Sequence, residues 1–241
     1  MRNGQAGLDA SIVLGRLGAL ISRKSGKKFI TNTPQDAPEV IAYILDEILI
    51  CPTISSQLFQ IRNRTTSTCD VCQTSSVSED LCSILTVPVS NSVSSSLSNF
   101  FSERALDGEN QWFCPLCNSP QDATYSTKNH GAPQVIIVQL ARFTRIGIDQ
   151  VIKLSTPVRP DTSVSITETV SDTETIIHIY NLVGVICHSG NYVGGHYTAT
   201  VLDRVSNKWF LCNDRSISET TINICEDGYT FFYVRERLAI S

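Results

Sequence analysis

The sequence predicts an α+β fold, with helices near its amino end and strands along most of the remaining chain. Before residue 50, apolar residues recur three and four positions apart, which is the spacing of one face of a helix. From Phe59 onward the apolar runs are short and bounded by Ser, Thr, Asn and Gly, which is typical of strands joined by turns. Helices and strands that are segregated along the chain in this way indicate the α+β class.

Two helices are predicted before residue 50. Apolar residues between 8 and 23 lie at mixed helical spacings despite two glycines. A second helix has Thr33 as a candidate cap and Pro38 in its first turn, where a missing N–H costs little. Its apolar stripe consists of Val40, Ile41, Ile44, Leu45 and Ile48. Asp36 and Glu39 then lie near the positive end of this helix, and the simplest interpretation is that they stabilise the helix dipole.

The strand pattern occupies the second half of the sequence. Strands are predicted over 84–89, 135–143, 176–185, 197–202, 208–212 and 229–234. The serine-rich residues 91–98 are expected to form a linker that passes into one helical turn ending at Phe101. Residues 157–174, rich in Thr, Ser and acidic residues, are expected to form a surface excursion between strands.

The composition is that of a soluble globular protein. The chain has 241 residues, of which 41% are apolar and 17% charged, and its net charge is −4. This acidic balance, without a basic stripe, argues against nucleic acid as a partner. No apolar run approaches the roughly 18 residues of a membrane span, and no signal peptide is recognisable. Together with an odd count of 9 cysteines, this predicts an intracellular protein of the cytoplasm or nucleus.

Two Cys-x-x-Cys pairs predict a structural zinc site. Cys69 and Cys72 are separated from Cys114 and Cys117 by 41 residues, and each pair can turn both thiolates toward one point. Four sulfurs complete a tetrahedral Zn²⁺ and leave no open coordination position, so the ion would join two hairpin ends rather than catalyse. Two alternatives are weaker: four unrelated core cysteines, and a redox pair, which lacks its βαβ setting. The other five cysteines are expected to be small, free apolar residues.

A histidine follows a glycine pair at the start of a predicted strand. His196 comes directly after Gly194 and Gly195, and Asn213 and Asp214 follow the next strand. An antiparallel hairpin over 197–212 would bring its two ends together and set Asn213 or Asp214 beside His196. An acceptor there can fix the tautomer and orientation of an imidazole that acts as a general base. Of the other histidines, His188 is expected in a loop with a hydrogen bond, and His130 and His178 have no evident partners.

Five runs resemble the ubiquitin-specific proteases. The runs YNLVGVICHSG at 180–190, GGHYTA at 194–199 and WFLCND at 209–214 are similar to the histidine box of that family. The run QDAPE at 35–39 resembles its Gln-Asp-Ala-x-Glu segment, and PQVIIVQLARF at 133–143 resembles its strand ending in Leu-x-Arg-Phe. The two cysteine pairs fall where that family binds zinc, so the resemblance extends from about Leu14 to Arg235.

The resemblance implies a papain-like cysteine-protease fold of three parts. The activity that it implies is cleavage of the bond after the C-terminal glycine of ubiquitin. A helical thumb remnant would occupy 1–60, zinc-binding β fingers 61–132 and an antiparallel β palm 133–241. Ubiquitin or ubiquitinated proteins would be the partners. His196 would be the general base, Asn213 its orienting residue and Asp214 a polar neighbour. Ubiquitin would be bound by Gln35, Asp36, Glu39 and Tyr197, and Zn²⁺ by Cys69, Cys72, Cys114 and Cys117.

The nucleophile of the family has no counterpart in this sequence. The family carries it in a Gly-Asn-x-Cys-Tyr-x-Asn box upstream of the Gln-Asp-Ala segment, whereas the first cysteine here is Cys51. Cys212 is expected on the strand face opposite to Asn213, and Cys187 is expected to point inward. Without a thiolate there is no acyl-enzyme route, so the chain as given is predicted to be inactive. The alternative prediction is a non-catalytic, ubiquitin-binding or scaffolding pseudo-deubiquitinase.

Overall fold

The chain divides into two compact units, Met1–Cys51 and Pro52–Ser241. The structure is a computed structural model that describes residues 15, 18–19, 21–23, 36–48, 57–146, 150–222 and 227–236. No helix among these residues is long and apolar enough to cross a membrane.

The described part of the first unit is helical. Residues 15, 18–19 and 21–23 are helical, as the pattern over 8–23 predicts, and the rest of that segment lies outside the described residues. Helix α1 spans Ala37–Ile48 and begins where the Val40 N–H donates to the Asp36 carbonyl at 3.1 Å. Leu45 of its apolar stripe is buried. The predicted cap, Thr33, also lies outside the described residues.

The second unit consists mainly of strands. They are β1 Ile61–Cys69, β2 Ser75–Cys82, β3 Leu85–Val87, β4 Arg104–Leu106, β5 Trp112–Cys114, β6 Ser119–Gln121, β7 Ala123–Gly131, β8 Val135–Leu140, β9 Phe143–Ile146, β10 Gln150–Lys153, β11 Ser163–Thr169, β12 Thr175–Gly190, β13 Gly195–Asp203, β14 Lys208–Asn213, β15 Ser216–Thr220 and β16 Gly228–Arg235. Twelve of these described strands form one branched sheet, while β5–β6 and β9–β10 form separate antiparallel pairs. The six predicted strands are confirmed, with ends that differ by a few residues.

The sheet runs from a thin, exposed arm to a closely packed body. The arm consists of β7, β1 and β2, which pair antiparallel, and the outermost strand β2 is exposed along nearly its whole length. In the body, β12 pairs with β11 and β13, and also with β16, which in turn pairs with β8. Strand β12 therefore lies at the centre of the body, since it is the strand through which the others are joined.

The core lies against the body of the sheet and is covered on one side by a helix. Helix α2 spans Val93–Phe101, where the Ser92 hydroxyl caps it by accepting from the Ser95 N–H at 3.2 Å. Its buried Val93 and Leu97 pack with apolar side chains of β3, β8, β11, β12 and β16. The prediction of a single helical turn here was too short, because a side-chain cap and a buried face sustain nine residues.

The predicted surface excursion over 157–174 was wrong. It contains β11, in which Val164 and Ile166 are buried in the core and alternate with exposed Ser163, Ser165 and Thr167. Such strict alternation is the signal of a half-buried strand. Its many serines and threonines hide that signal, because hydroxyl side chains are common both in loops and on the solvent face of strands.

Candidate functional site

The four paired cysteines meet at the tips of two hairpins. Cys69 ends β1 and Cys72 lies in the turn to β2, while Cys114 ends β5 and Cys117 lies in the turn to β6. Their four Sγ atoms all lie within 4.8 Å of one another. The chain between the pairs leaves this point, contributes β3 and α2 to the core, and returns. The prediction that the cysteine pairs lie at two hairpin ends that meet is confirmed.

In each turn, the residue after the second cysteine has a left-handed backbone conformation. Gln73, which follows the second cysteine of one pair, has φ of 58°, and Asn118, which follows that of the other, has φ of 53°. The Cys117 N–H donates to the Cys114 sulfur at 3.4 Å, and the Gln73 N–H donates to the Cys69 carbonyl at 2.9 Å. These local bonds fix the direction in which each pair presents its sulfurs.

The chemistry of the cluster fits a soft divalent cation. Hydrogen bonds from the Thr74 side chain and backbone lower the pKa of the Cys72 thiol to about 6. The side-chain hydrogen bond with Cys72, reinforced by burial, raises the pKa of Cys117 to about 12. Several thiolates so close together repel, and a cation at their centre removes that repulsion. Four sulfurs at these separations match a tetrahedral ion with metal–sulfur distances of about 2.3 Å, so the cluster can hold a metal.

A second polar group lies at the end of the β13–β14 hairpin. His196 near the start of β13 and Asn213 at the end of β14 are brought together, with His196 Nε2 2.6 Å from Asn213 Oδ1. Because an amide oxygen only accepts, Nε2 carries the proton and Nδ1 keeps a lone pair that can take one. Asp214 Oδ2 lies 3.9 Å from the same Nε2, and its side chain is 78% exposed. The His196 side chain is 48% exposed and is therefore accessible to a substrate.

The loop before His196 is held by a side chain that sequence reasoning missed. Asn191 Oδ1 accepts from the N–H groups of Val193 and Gly194 at 2.9 and 3.2 Å. A Cβ on Gly195 would lie 2.9 Å from His188 Cε1 and closer still to His188 Nε2, whereas one on Gly194 would meet nothing within 4 Å. Of the glycine pair, only Gly195 is therefore required for close approach.

Two of the other histidines, His188 and His178, differ from the sequence predictions. His188 lies in strand β12 rather than in a loop and is buried, with its ring centroid 4.7 Å from that of Tyr197. His178, for which the sequence offers no partner, lies 2.6 Å from Glu168 Oε2 and also contacts Arg235. Both partners come from neighbouring strands, and the cross-strand register that joins them cannot be read from a single sequence.

The remaining predicted residues are placed separately. Tyr197 is half-buried beside His188 in the second unit. Asp36 and Glu39 belong to the first unit, where Glu39 is exposed and accepts from the Tyr43 hydroxyl at 3.1 Å. Gln35 lies outside the described residues.

Two cysteines near the histidine pair differ in state. Cys212 is a free, half-buried thiol in β14. Cys187 is disulfide-bonded, so the expectation of a free thiol was wrong for this residue.

The fold is of the papain-like, ubiquitin-specific protease type. A sequence model of the family described as "Ubiquitin carboxyl-terminal hydrolase" matches residues 19–233. The chain therefore belongs to the ubiquitin carboxyl-terminal hydrolase family, and the resemblance seen in the sequence is confirmed.

Curated relatives agree with this assignment. The chain is 30% identical over 200 residues to ubiquitin carboxyl-terminal hydrolase 5 of Saccharomyces cerevisiae, a match that covers 74% of this chain and 24% of that protein. It is 30% identical over 143 residues to ubiquitin carboxyl-terminal hydrolase 4 of Mus musculus, covering 56% of this chain and 14% of that protein.

The fold is similar to that of a solved deubiquitinating module. The SAGA Ubp8/Sgf11/Sus1/Sgf73 DUB module bound to ubiquitin aldehyde matches with a TM-score of 0.77 and 21% identity over 95% of this chain and 55% of that chain. The same module bound to monoubiquitin matches with a TM-score of 0.75 and 23% identity. The chain thus spans about half the length of the matched structural chains and less of the curated relatives.

Proposed function

We propose that this chain is a deubiquitinase domain that binds ubiquitin and holds the general base for hydrolysis after its C-terminal glycine. One observation carries the proposal: His196 Nε2 lies 2.6 Å from Asn213 Oδ1, in a chain of the ubiquitin carboxyl-terminal hydrolase family. Two solved structures that share the fold hold ubiquitin aldehyde and monoubiquitin, respectively. The proposed partners are ubiquitin or ubiquitinated proteins, and a net charge of −4 disfavours nucleic acid.

The chemistry follows from the tautomer. With Nε2–H donated to Asn213, Nδ1 is the atom that can take the proton of an attacking thiol and later give it to the leaving amine. The imidazolium formed in between is stabilised by the Asn213 carbonyl oxygen and by the Asp214 carboxylate 3.9 Å away. In this role Asn213 orients the ring, and Asp214 contributes only a screened charge because it is mostly exposed.

We propose that the 241 residues lack the nucleophile of this chemistry. Cys212 neighbours Asn213 along β14, so alternation points the two side chains to opposite faces, and the Cys187 sulfur is already bonded. We therefore propose that the chain as given binds ubiquitin without cleaving it. This also keeps open the second candidate, a non-catalytic pseudo-deubiquitinase that acts as a ubiquitin-binding scaffold.

Three further assignments complete the proposal. The four-cysteine cluster would hold structural Zn²⁺, which supplies a fixed junction of the two fingertip hairpins. Asp36 and Glu39 would bind the basic tail of ubiquitin, since carboxylates desolvated in the complex pair well with arginine, and Gln35 would also contact ubiquitin. Tyr197 would line the channel for the terminal glycines. The four free thiols of the cluster favour a reducing compartment, whereas the disulfide-bonded Cys187 does not, so an intracellular location, in cytoplasm or nucleus, stays a prediction.

Calorimetric titration with ubiquitin tests the binding. We expect saturable binding that is weakened at least about fivefold when Asp36→Asn and Glu39→Gln are combined, because each change removes a partner for a cationic tail. Asp46→Asn is the matched control, since Asp46 is an exposed acid on the same helix α1. Undetectable binding by the wild-type chain would contradict the proposed function.

A fluorogenic amide of the ubiquitin C terminus tests the missing nucleophile. We expect no turnover above the uncatalysed rate. Turnover that disappears in His196→Ala would show that another group serves as nucleophile and that the chain is an active protease.

A further inference from the structure

A lysine of the small β9–β10 sheet reaches into the body of the palm. Lys153 ends β10, and only 8% of its side chain is exposed. Its ammonium donates to the backbone carbonyl of His188, and Nζ lies 3.7 Å from Asp227 Oδ1. Removing an ammonium from water is costly unless its hydrogen bonds are replaced, so this lysine is held in place by these two acceptors.

Lys153 and Asp227 together fix the backbone of His188. The His188 N–H donates to the Asp227 carbonyl at 3.2 Å, and the His188 carbonyl accepts from Lys153. The ladder between β12 and β16 is irregular at this point, with a register shift between Ile186 and Cys187. On its β16 side, strand pairing therefore does not by itself determine where the end of β12 lies. There the Lys153–Asp227 pair adds a constraint to the one that pairing with β13 supplies on the other edge.

The His188 ring transmits that constraint to both chain neighbours of His196. A Cβ on Gly195 would overlap the His188 imidazole, so the backbone of Gly195 rests directly against this ring. On the other side the ring lies 4.7 Å from that of Tyr197, centroid to centroid. Strand β13 also pairs with β12 here, where Ser189 is opposite His196. A shift of His188 would accordingly move the segment that carries His196.

We propose that Lys153 is a positioning residue for His196, acting through the backbone and ring of His188. The proposal rests on the proposed function of His196 as general base. It adds Lys153 and His188 to Asn213 as residues that orient the His196 ring. In this role Lys153 acts through His188 and needs no contact with substrate or with the His196 ring. Its role is to keep Gly195 and Tyr197, and thus the imidazole between them, at the distance from Asn213 that the 2.6 Å hydrogen bond requires.

The test is NMR spectroscopy of the full 241-residue chain labelled with ¹⁵N-histidine, without ubiquitin. The exchange rate of the His196 Nε2 proton with water reports the hydrogen bond to Asn213. We expect Lys153→Met to accelerate this exchange about fivefold and Lys153→Arg, which keeps a buried donor, to restore it at least halfway. Lys208→Met is the matched control and should leave the rate unchanged, because Lys208 forms an exposed pair with Glu219 at 2.7 Å.

Unchanged exchange in Lys153→Met would overturn the proposal. So would an acceleration shared by buried backbone amides of β8 and β16, since that would indicate general loosening instead of positioning. If Lys153→Met does not fold, Asp227→Asn gives the second test: it weakens the hold on the ammonium and should accelerate exchange about twofold, and no change would again overturn the idea. A wild-type His196 without a protected Nε2 proton would instead refute the proposed function itself.

Discussion

The cysteine cluster and the histidine pair both lie at the ends of antiparallel hairpins, yet different forces fix their geometries. At the cysteine end, two turns that each contain a left-handed residue and local N–H···S and N–H···O bonds direct four sulfurs to one point. At the histidine end, a half-exposed ring makes one short bond to Asn213, and its backbone rests on a buried histidine. The first site is closed on itself, and the second stays open on one side.

This difference teaches what each kind of site demands of the chain. A structural metal site needs all its ligands from the protein, so short local motifs are enough to build most of it. A catalytic site must leave one side accessible to substrate, so its side chains have no packing contacts on that side. The residues behind them must therefore hold these side chains in position. Changes to the cysteine end should therefore affect folding, whereas changes behind the histidine should affect placement.

The largest effect is expected from Cys114→Ser. Removing one of four ligands should reduce bound zinc from one ion per chain to none and unfold the tip of the β1–β2 arm, because structural zinc contributes roughly 10–16 kcal/mol in small peptides. Metal analysis and amide exchange of β1 measure the two effects. Cys212→Ser, which changes a free thiol outside the cluster, should keep the metal. Full zinc occupancy in Cys114→Ser would rule out the four-sulfur site.

Arg142→Met should give the next largest effect. The fully buried guanidinium donates to the carbonyls of Gly228, Leu154 and Thr156 at 2.7–2.9 Å, and burial lowers its pKa. Leaving these acceptors without a donor should cost about 3–5 kcal/mol in the free energy of unfolding.

Urea denaturation followed by tryptophan fluorescence measures the loss in Arg142→Met. Arg64→Met is the matched control, since Arg64 pairs with Glu79 on an exposed surface at 2.8 Å and should cost less than about 1 kcal/mol. Equal losses in the two variants would mean that the buried hydrogen bonds of Arg142 contribute no more to stability than an exposed ion pair does.

Gly195→Ala, compared with Gly194→Ala, should show which of the two glycines before His196 is required for close packing. A Cβ on Gly195 would overlap the His188 ring and the Ser189 carbonyl, so we expect a loss of about 1–3 kcal/mol and displaced His196 resonances. Gly194→Ala, with nothing within 4 Å, should change stability by less than about 1 kcal/mol. Denaturation and histidine NMR spectra measure both, and equal tolerance of the two alanines would contradict the close packing.

Asn213→Ala should act on the ring without unfolding the chain. Loss of the acceptor 2.6 Å from Nε2 should accelerate exchange of the Nε2 proton about 3- to 10-fold, the equivalent of one ordinary hydrogen bond. Asp214→Ala should change the rate less than about twofold, because that carboxylate lies 3.9 Å away and is mostly exposed. The reverse order of effects would assign the orienting role to Asp214.

The smallest effect is expected at Asp203, in the turn of the β13–β14 hairpin, at the end opposite to His196 and Asn213. The Ser206 hydroxyl, then the Val205 N–H, hold the pKa of Asp203 below its usual value. A depressed pKa contributes stability above the unfolded value of about 3.9, and this contribution is lost as pH falls through the folded value. We expect Asp203→Asn to lower Tm by about 1–2 °C at pH 7, and this loss should shrink as the pH falls through the depressed folded-state pKa of Asp203.

Asp172→Asn is the control for that pH series, since Asp172 is an exposed acid in another hairpin turn, between β11 and β12. Calorimetry of both variants across the pH range measures the difference. A Tm loss in Asp203→Asn that grows as the pH falls would contradict the sign.

The candidate site was predictable to the extent that its residues are close in sequence or mark the ends of one hairpin. Cys69 with Cys72 and Cys114 with Cys117 can be read directly, and His196 with Asn213 follows from a hairpin of two recognisable strands. The contacts of His178 with Glu168 and Arg235 could not be predicted, because they depend on the register of three strands. Strand β11 was missed because its hydroxyl-rich composition is shared with loops.

The sequence by itself determined the family, most of the strands, and the two motifs that present sulfur and imidazole, because turns and alternation depend on neighbours along the chain. Only the tertiary structure decided that Lys153 and Asp227 hold His188 beneath Gly195 and Tyr197, and that Arg142 joins carbonyls of three residues. Those contacts join segments far apart in sequence, and burial makes each unsatisfied polar group costly enough to select one arrangement.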